Sequence, residues 1–401
     1  DYIGSGKNMT FGRFMDFCNE IGAYTVITCG VEDATDWRQN PETFTNFLEY
    51  LAGPASSTYG AKRAEEGYTE SLLEGSRGLV FEFGNEVWGA SAHDAQIGQN
   101  YAEYGQWCRE MATLMRASEF YNEDKIYLTY SGRDPHPDVH NSGGLHSSLL
   151  TGDAGEVDWL AVAGYMGGNL NYSPEIDPGE SELDYYRNGI SYMLHNIEGL
   201  RMTMEQILEA SSDFKPTYMY EANMTNSSYY GRLGQAMVQT DYYASAVETG
   251  SAIPTIFHLT GGQWKMVVPS QDYKKLPLYY TTKYYNKLCK GNALRTELET
   301  SRPGIETVGC HAYADGENFG VLLISRDFEN DWTVQVDLPD ELELLAPETV
   351  KMYTITGDGF SAKDARVDST VITLSDSLLV TVPKHSMVVF GFKGSGAGVE
   401  D

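Results

Sequence analysis

Two glutamates stand directly after apolar segments that have the length of buried strands. Glu86 follows Leu79-Val-Phe-Glu-Phe-Gly-Asn85, and Glu221 follows Pro216-Thr-Tyr-Met-Tyr220. Two carboxylates that face each other across a cleft suit glycosidic bond hydrolysis, because one protonates the leaving oxygen and the other attacks the anomeric carbon or activates water. The structural alternative for either residue alone is a carboxylate that caps a helix or pairs with a lysine.

Both segments belong to an alternation of apolar strands and amphipathic helices. The pattern predicts strands over 24–30, 78–84, 125–130, 157–163, 216–220 and 253–259, and helices over 11–21, 40–51, 94–116, 182–212, 232–248 and 277–289. Such alternation favours a parallel sheet with helical crossovers, and short continuous apolar strands are typical of burial on both faces. Six strand–helix units fit part of a closed (β/α)8 barrel or an open doubly wound sheet. No Gly-rich phosphate fingerprint follows any strand, which disfavours the nucleotide-binding form of the open sheet.

In a barrel, reacting groups stand at the carboxyl ends of the strands. The strands before Glu86 and Glu221 are three units apart, so in a closed eight-stranded barrel the two carboxylates would face each other across the mouth. A retaining enzyme would hold its carboxyl groups about 5–5.5 Å apart. We therefore predict a barrel over residues 1–289.

After Lys290 the pattern changes to short alternating segments with turn residues between them. The segments are 319–325, 332–338, 347–355, 366–373, 377–383 and 386–393. They predict an all-β sandwich over 290–395, followed by a flexible tail over 396–401.

Charge and composition exclude several classes of function. Lys and Arg number 28 against 57 Asp and Glu, a formal net charge of -29. Nucleic-acid contacts need clustered cations, so we predict no nucleic-acid partner, and the acidity disfavours anionic membranes as well. It suits a salty extracellular medium, and we expect a secreted or periplasmic protein. No apolar run is long enough to cross a bilayer.

Neither the cysteines nor the histidines predict a metal site. The five cysteines are widely spaced, which excludes a disulfide framework and a metal knuckle. The loop 133–150 is rich in His and Asp, but its irregular spacing favours a substrate-binding rim over a metal site. We predict no metal and no cofactor.

The residues around both glutamates resemble clan A glycoside hydrolases. Gly84-Asn-Glu-Val-Trp88 is similar to the fourth-strand signature of that clan, and Tyr218-Met-Tyr-Glu-Ala-Asn223 is similar to its seventh-strand nucleophile segment. Phe11 to Gly30 resembles the passage from the second helix to the third strand in family 51 α-L-arabinofuranosidases. Val382-Pro-Lys-His-Ser-Met-Val-Val-Phe390 looks like part of the domain that follows the barrel in families 51, 39 and 30.

The resemblance implies a role for each glutamate and for three nearby residues. Glu86 would be the acid/base, Glu221 the nucleophile, and Asn85 the partner of the sugar 2-hydroxyl. Tyr165 would orient Glu221 and Trp264 would floor the sugar subsite. Packing at the rim is the alternative for both Tyr165 and Trp264.

Two further residues have open roles under the same resemblance. Trp88 would line the cleft or support the loop of Glu86. Family 51 has His-Tyr near the end of the sixth strand, whereas Ala163 to Met166 contains no histidine. His258 could serve in its place, with a core histidine as the alternative.

The resemblance also implies two barrel strands that this chain lacks. In the family those strands carry an Arg and further sugar contacts. The six observed units would be the third to eighth, so we expect an N-terminal piece of about 60 residues to be missing, at about 30 residues per barrel unit.

The sequence thus predicts a retaining glycoside hydrolase that acts on a plant or algal polysaccharide or oligosaccharide. Its partner would be a carbohydrate, without nucleic acid or membrane, and a homo-oligomer is compatible with the resemblance. A non-catalytic carbohydrate-binding or structural glycoprotein on the same scaffold is the alternative. Loops 133–150 and 168–185 would decide the substrate.

Overall fold

A computed structural model describes most of the chain. The described residues are 10–31, 36–87, 101–132, 149–153, 155–166, 181–210, 215–224, 229–255, 259–260, 265–300, 302, 304, 307–316, 318–337, 349–374 and 377–393.

The first part of the chain builds a six-stranded sheet. Its strands are β1 (Thr25–Cys29), β2 (Leu79–Phe83), β3 (Ile126–Ser131), β4 (Trp159–Met166), β5 (Thr217–Met224) and β6 (Ser251–Pro254). They are adjacent in chain order, and β1 to β4 pair in parallel. The predicted parallel sheet with helical crossovers is confirmed.

The described helices include all six of the predicted series and two short helices that the sequence analysis did not predict. They are α1 (Phe11–Glu20), α2 (Asp36–Gln39), α3 (Glu42–Ala52), α4 (Thr58–Glu65), α5 (Tyr101–Arg116), α6 (Glu182–Ala210), α7 (Leu233–Glu248) and α8 (Pro277–Leu288). Thr10 caps α1 by accepting a hydrogen bond from the Arg13 amide, and Pro277 begins α8 at the position where its missing N–H costs nothing. In the described chain, no helix is long and apolar enough to cross a membrane.

The chain divides into two compact units. One comprises Asp1–Ala163 and Met202–Tyr218, and the other comprises Gly164–Arg201 and Met219–Asp401. The division falls within β4, α6 and β5 rather than at a linker. The boundaries predicted from sequence at 289/290 and 395/396 stay predictions, and residues 394–401 lie outside the described part.

In the first unit, aromatic side chains join one face of the sheet to the helices. Phe81 and Phe83 are two residues apart on β2 and therefore face the same side of the sheet. The ring of Phe81 lies 5.8 Å from that of Phe47 in α3, and the ring of Phe83 lies 6.0 Å from that of Trp107 in α5. Both phenylalanines of β2 are fully buried. Each such side chain contributes about 1.5–3 kcal/mol on burial. Because side chains alternate along a strand, Glu82 points to the opposite face.

The second unit contains the C-terminal antiparallel region. Its strands are β9 (Asn292–Leu294), β10 (Val308–Ala314), β11 (Asn318–Ser325), β12 (Trp332–Asp337), β13 (Thr349–Thr356), β14 (Arg366–Thr373), β15 (Ser377–Val382) and β16 (Met387–Lys393). One sheet has the order β14-β13-β16-β11-β10-β9 and the other pairs β12 with β15. Their apolar residues, among them Val321, Val380 and Phe390, form one core. The predicted all-β region is confirmed. A short antiparallel pair precedes it, β7 (Val267–Val268) with β8 (Lys274–Lys275), joined by a 3-10 turn.

Helix α7 is embedded in the second unit. Every residue from Leu233 to Ala246 is buried, against α8, β6 and the strands β9 to β11. The first amides of α7 are capped by backbone carbonyls, because Leu233 N donates to Ala362 O and Gly234 N to Phe360 O, both at 2.8 Å. A helix buried all round cannot be amphipathic, so its polar residues must find partners inside the protein.

Four charged side chains meet between α7 and the sandwich: Asp241, Glu248, His311 and Arg326. Asp241 and His311 are buried, Arg326 is half-buried, and Glu248 is exposed at the end of α7; we call the group the buried charge cluster after its central pair. Arg326 binds both carboxylate oxygens of Asp241, with Nε–Oδ2 at 2.6 Å and Nη2–Oδ1 at 2.9 Å. His311 Nε2 lies 2.9 Å from Asp241 Oδ1, and its Nδ1 lies 2.8 Å from Glu248 Oε1. A carboxylate faces each ring nitrogen, which favours the doubly protonated imidazole, and in that form the cluster is neutral overall.

Candidate active site

Glu86 lies in a tight turn directly after β2. Gly84 N donates to Cys29 O at 3.0 Å, the last backbone hydrogen bond that continues the β1–β2 pairing. The chain then turns through Gly84, with a φ of 88°, and Glu86, with a φ of 47°. Glutamate in this left-handed region costs about 1 kcal/mol. Only three other non-glycine residues of the described chain have a positive φ, Asp272, Tyr273 and His385.

The turn presents Glu86 at the edge of the sheet. Asn85 is exposed, Glu86 is half-buried, and Val87 anchors the turn at 1% exposure. Within the part of the chain that the structure describes, no hydrogen bond or ion pair engages the Glu86 carboxylate. The described residues therefore offer no support for the interpretation of Glu86 as a helix cap or a lysine partner.

Helix α5 fixes the strand end just before this turn. The Tyr104 hydroxyl donates to Phe83 O, and it accepts a hydrogen bond from Ser131 N at 2.9 Å. Tyr104 is fully buried, and burial raises the pKa of its hydroxyl well above the usual value. It is therefore a neutral donor that joins the ends of β2 and β3.

Glu82 is a buried carboxylate on β2, four residues before Glu86, that sequence reasoning did not single out. It is 1% exposed and accepts a hydrogen bond from Thr28 Oγ1 at 3.1 Å. Its register partners are Thr28 on β1 and Thr129 on β3, which makes a polar row on the face opposite the phenylalanines. The available signal was a charged residue inside an otherwise apolar strand.

Glu221 lies within β5, four residues from its first residue. It is half-buried, and both Met219 and Ala222 on either side are fully buried. Side chains from α7 and from the end of β6 hydrogen-bond to the backbone around it. Tyr243 Oη donates to Ala222 O at 3.0 Å, and Thr255 Oγ1 donates to Met219 O at 2.7 Å.

Asn223 lies two residues after Glu221 and is fully buried. It begins the sequence Asn-Met-Thr225, which matches the acceptor pattern for N-glycosylation. Its Oδ1 accepts hydrogen bonds from Gln235 Nε2 and from Met224 N, both at 2.8 Å. An asparagine with this burial and these bonds has no room for a glycan. Asn223 is thus a structural residue in the folded protein.

The described part of the structure includes only some of the other predicted site residues. Tyr165 lies on β4, but its side chain falls outside the described atoms. Trp88, His258 and Trp264 lie outside the described residues, as do 133–148 of one predicted rim loop and 167–180 of the other. The two glutamates belong to different compact units, and their predicted separation across one cleft stays a prediction.

The cysteines do not offer a competing nucleophile in the described part. All five are free thiols, and Cys18, Cys29 and Cys108 are buried. Burial raises the pKa of the Cys108 thiol well above its usual range and that of Cys310 to about 12. A reactive cysteine needs a lowered pKa, so the candidate chemistry rests on carboxylates.

Comparison with solved structures identifies the fold. A family 51 α-L-arabinofuranosidase from Thermotoga petrophila RKU-1 is 16% identical with a TM-score of 0.71, over 94% of this chain and 78% of that chain. The family 51 arabinofuranosidase from Xanthomonas axonopodis pv. citri is 18% identical with a TM-score of 0.68, over 96% and 78%. A Paenibacillus polymyxa xyloglucanase of glycoside hydrolase family 44 is 11% identical with a TM-score of 0.58, over 94% and 82%.

These similarities establish architecture. No protein-family model and no curated protein matches the sequence. The chain has a fold similar to that of the family 51 arabinofuranosidases, and its described residues build six barrel-type strands with helices, followed by an antiparallel β region. The predicted fold class and the resemblance to that group are confirmed at the level of the fold.

Proposed function

We propose that this protein is a retaining glycoside hydrolase that cleaves a plant or algal polysaccharide or oligosaccharide. The observation that carries the proposal is the position of two glutamates, Glu86 in the turn after β2 and Glu221 within β5, in a fold whose solved examples are glycoside hydrolases. The left-handed turn at Glu86 supports it, because strained backbone is concentrated at functional sites.

The proposed reaction proceeds by double displacement. Glu221 attacks the anomeric carbon while Glu86 delivers a proton to the leaving oxygen, which forms a glycosyl-enzyme. Glu86 then takes a proton from water, and the water displaces Glu221 from the sugar. Both steps invert the anomeric carbon, so the product retains the substrate configuration.

Five other residues complete the proposed site. Asn85, exposed beside Glu86, would bind the sugar 2-hydroxyl. Tyr165 would orient Glu221, Trp264 would floor the sugar subsite, and Trp88 and His258 would contribute to the cleft walls. An aromatic floor suits a sugar because the C–H bonds of the ring pack against its face.

The substrate class is proposed from the solved structures of similar fold. Several are α-L-arabinofuranosidases and one is a xyloglucanase. We therefore place α-L-arabinofuranosides first among the substrates to examine and plant β-glucans second. The alternative is a non-catalytic carbohydrate-binding protein, which would not need both glutamates.

One experiment separates the two proposals. The wild-type protein, Glu86→Gln and Glu221→Gln are assayed on a panel of 4-nitrophenyl glycosides and on arabinan, arabinoxylan and xyloglucan. We expect wild-type hydrolysis of at least one panel member, with retained configuration by NMR, and loss of turnover in Glu221→Gln. Sugar binding without hydrolysis in the wild type would support the non-catalytic alternative and overturn the enzyme proposal.

Two properties of the whole protein belong to the same proposal. A secreted or periplasmic location suits a polysaccharide substrate and a net charge of -29. A homo-oligomer follows the resemblance to family 51. Cell fractionation and light scattering measure these two properties directly.

A further inference from the structure

Helix α7 supplies side-chain donors to the backbone next to Glu221. Tyr243 Oη donates to the carbonyl of Ala222, the residue directly after Glu221, at 3.0 Å. Tyr243 is 3% exposed and Ala222 is fully buried. The hydrogen bond is therefore shielded from water, where it is stronger and where its loss leaves a carbonyl without a donor.

A second side chain of α7 reaches the following residue. Gln235 Nε2 donates to Asn223 Oδ1 at 2.8 Å, while Gln235 Oε1 accepts from Gly231 N at 2.6 Å. Because Gly231 N can only donate, it fixes which end of the Gln235 amide faces Asn223. Asn223 in turn accepts from Met224 N, so the part of β5 after Glu221 is tied to the helix.

Thr255, directly after β6, hydrogen-bonds to the backbone before Glu221. Thr255 N and Thr255 Oγ1 donate to Met219 O at 2.9 Å and 2.7 Å, and Thr255 Oγ1 also contacts Tyr220 O. Side chains thus reach the carbonyls of residues 219, 220 and 222. The carbonyls on both sides of Glu221 have fixed directions, so the Cα–Cβ direction of Glu221 is fixed as well.

We propose that Tyr243 is a positioning residue for Glu221, which it orients through the hydrogen bond to the Ala222 carbonyl. The inference rests on the proposed function, in which Glu221 is the nucleophile. A nucleophile must approach the anomeric carbon within a narrow range of distance and angle, and a shift of about 1 Å can lower a rate about 100-fold. The hydroxyl of Tyr243 therefore affects the chemical step more than it affects folding.

The test compares two phenylalanine variants that lose one buried hydroxyl each. Tyr243→Phe removes the donor to Ala222 O and keeps the ring. Tyr285→Phe is the matched control, because Tyr285 is 8% exposed in the same unit and its hydroxyl donates to Tyr313 Oη of β10 at 3.2 Å. Glu221→Gln is measured beside them, all with the 4-nitrophenyl glycoside that the wild type hydrolyses fastest.

We expect kcat to fall about 10- to 100-fold in Tyr243→Phe, with KM within about 2-fold of the wild type. The thermal midpoints of Tyr243→Phe and Tyr285→Phe should fall by similar amounts, and Tyr285→Phe should keep the wild-type kcat. Equal kcat in the two variants, with Glu221→Gln inactive, would overturn the positioning role and leave the proposed function standing. Equal hydrolysis by Glu221→Gln and the wild type would overturn both.

Discussion

The backbone that carries Glu86 leaves its sheet in a left-handed turn, whereas the backbone that carries Glu221 remains inside a strand. In both places a helix tyrosine donates to a strand carbonyl. Tyr104 binds Phe83 O, three residues before Glu86, while Tyr243 binds Ala222 O, directly after Glu221. The anchored point is therefore separated from the carboxylate by a turn in one case and adjacent to it in the other.

The difference matches what the two proposed roles require. An acid/base must exchange its proton with a leaving group in one step and with water in the next, so access to solvent serves it. A nucleophile must form and break a bond to one carbon, so a fixed direction serves it. Two glutamates on the same sheet can thus suit different proposed roles, because the backbone gives one of them access to solvent and the other a fixed direction.

Alanine variants give the largest expected effect. Glu221→Ala should lower turnover by about 10⁴-fold or more on every substrate, because no other group replaces the nucleophile. The loss of rate in Glu86→Ala should depend on the leaving group. The rate of glycosyl-enzyme formation should fall little with 4-nitrophenyl glycosides and strongly with a polysaccharide. Steady-state and burst kinetics measure both. Unchanged hydrolysis by Glu221→Ala would refute its assignment.

The stability of the Glu221 side depends on the buried charge cluster that docks α7. Arg326→Met should lower the free energy of unfolding by about 3–5 kcal/mol, because it leaves Asp241 buried without its bidentate partner. Arg302→Met is the matched control. Arg302 is 54% exposed and lies 3.4 Å from Asp327, so its loss should cost about 1 kcal/mol or less. Urea unfolding measures both, and equal losses would contradict the role of the cluster.

The same cluster predicts a pH dependence. Burial alone would lower the pKa of His311, but hydrogen bonds and charges of Asp241 and Glu248 outweigh it and raise that pKa above 6.5. A raised pKa stabilises the fold fully below about pH 6.5, and this contribution is lost as the pH rises through the folded-state value.

Asp241 acts in the opposite direction. Burial favours a higher pKa, but Arg326 and His311 hold the pKa of Asp241 well below 3.8. Its contribution is present above pH 3.8 and is lost as the pH falls through the folded-state value. Glu248→Gln removes one carboxylate from His311 and should move the alkaline loss of stability to lower pH. The free energy of unfolding in urea is measured from pH 6 to 9 for the wild type and for Glu248→Gln. If both lose stability at the same pH, Glu248 does not raise the pKa of His311.

The smallest expected effect concerns the turn at Glu86. Glu86→Asn and Glu86→Gln both remove the carboxylate, but asparagine tolerates the left-handed region better than glutamine. We expect Glu86→Asn to be more stable than Glu86→Gln by about 0.5–1 kcal/mol. Differential scanning calorimetry checks the difference. Equal midpoints would show that the turn carries no strain.

Periodicity predicted the elements well because it reflects burial, which is a local property of each segment. The strands around Phe81 and Met219 are continuous apolar runs, and both were predicted to within a few residues. Helices α2 and α4 were not predicted, and α4 carries a cation that the tertiary fold buries. Arg63 is 1% exposed and donates to Tyr50 O at 2.8 Å and Gly53 O at 2.7 Å at the end of α3.

The candidate glutamates could be predicted because they stand next to apolar strands, whereas their supports could not. Tyr243 reaches Ala222 across 21 residues of chain, and His311 reaches Asp241 across 70. No spacing rule connects residues at such distances, since the tertiary fold creates the contact. The positive φ of Glu86 was equally hidden, although Gly84 two residues earlier marked a turn.

The neutrality of the buried charge cluster bears on how the polypeptide could be shortened. Both anions stand on α7, and both cations, His311 and Arg326, come from β10 and from the residue after β11. A chain cut after Cys289 would keep Asp241 on α7 and Glu248 at its end, and would lose the two described cations that pair with them. The C-terminal β region therefore supplies the cations that pair with the acidic residues of α7, and removing it should yield aggregated protein instead of a smaller folded one.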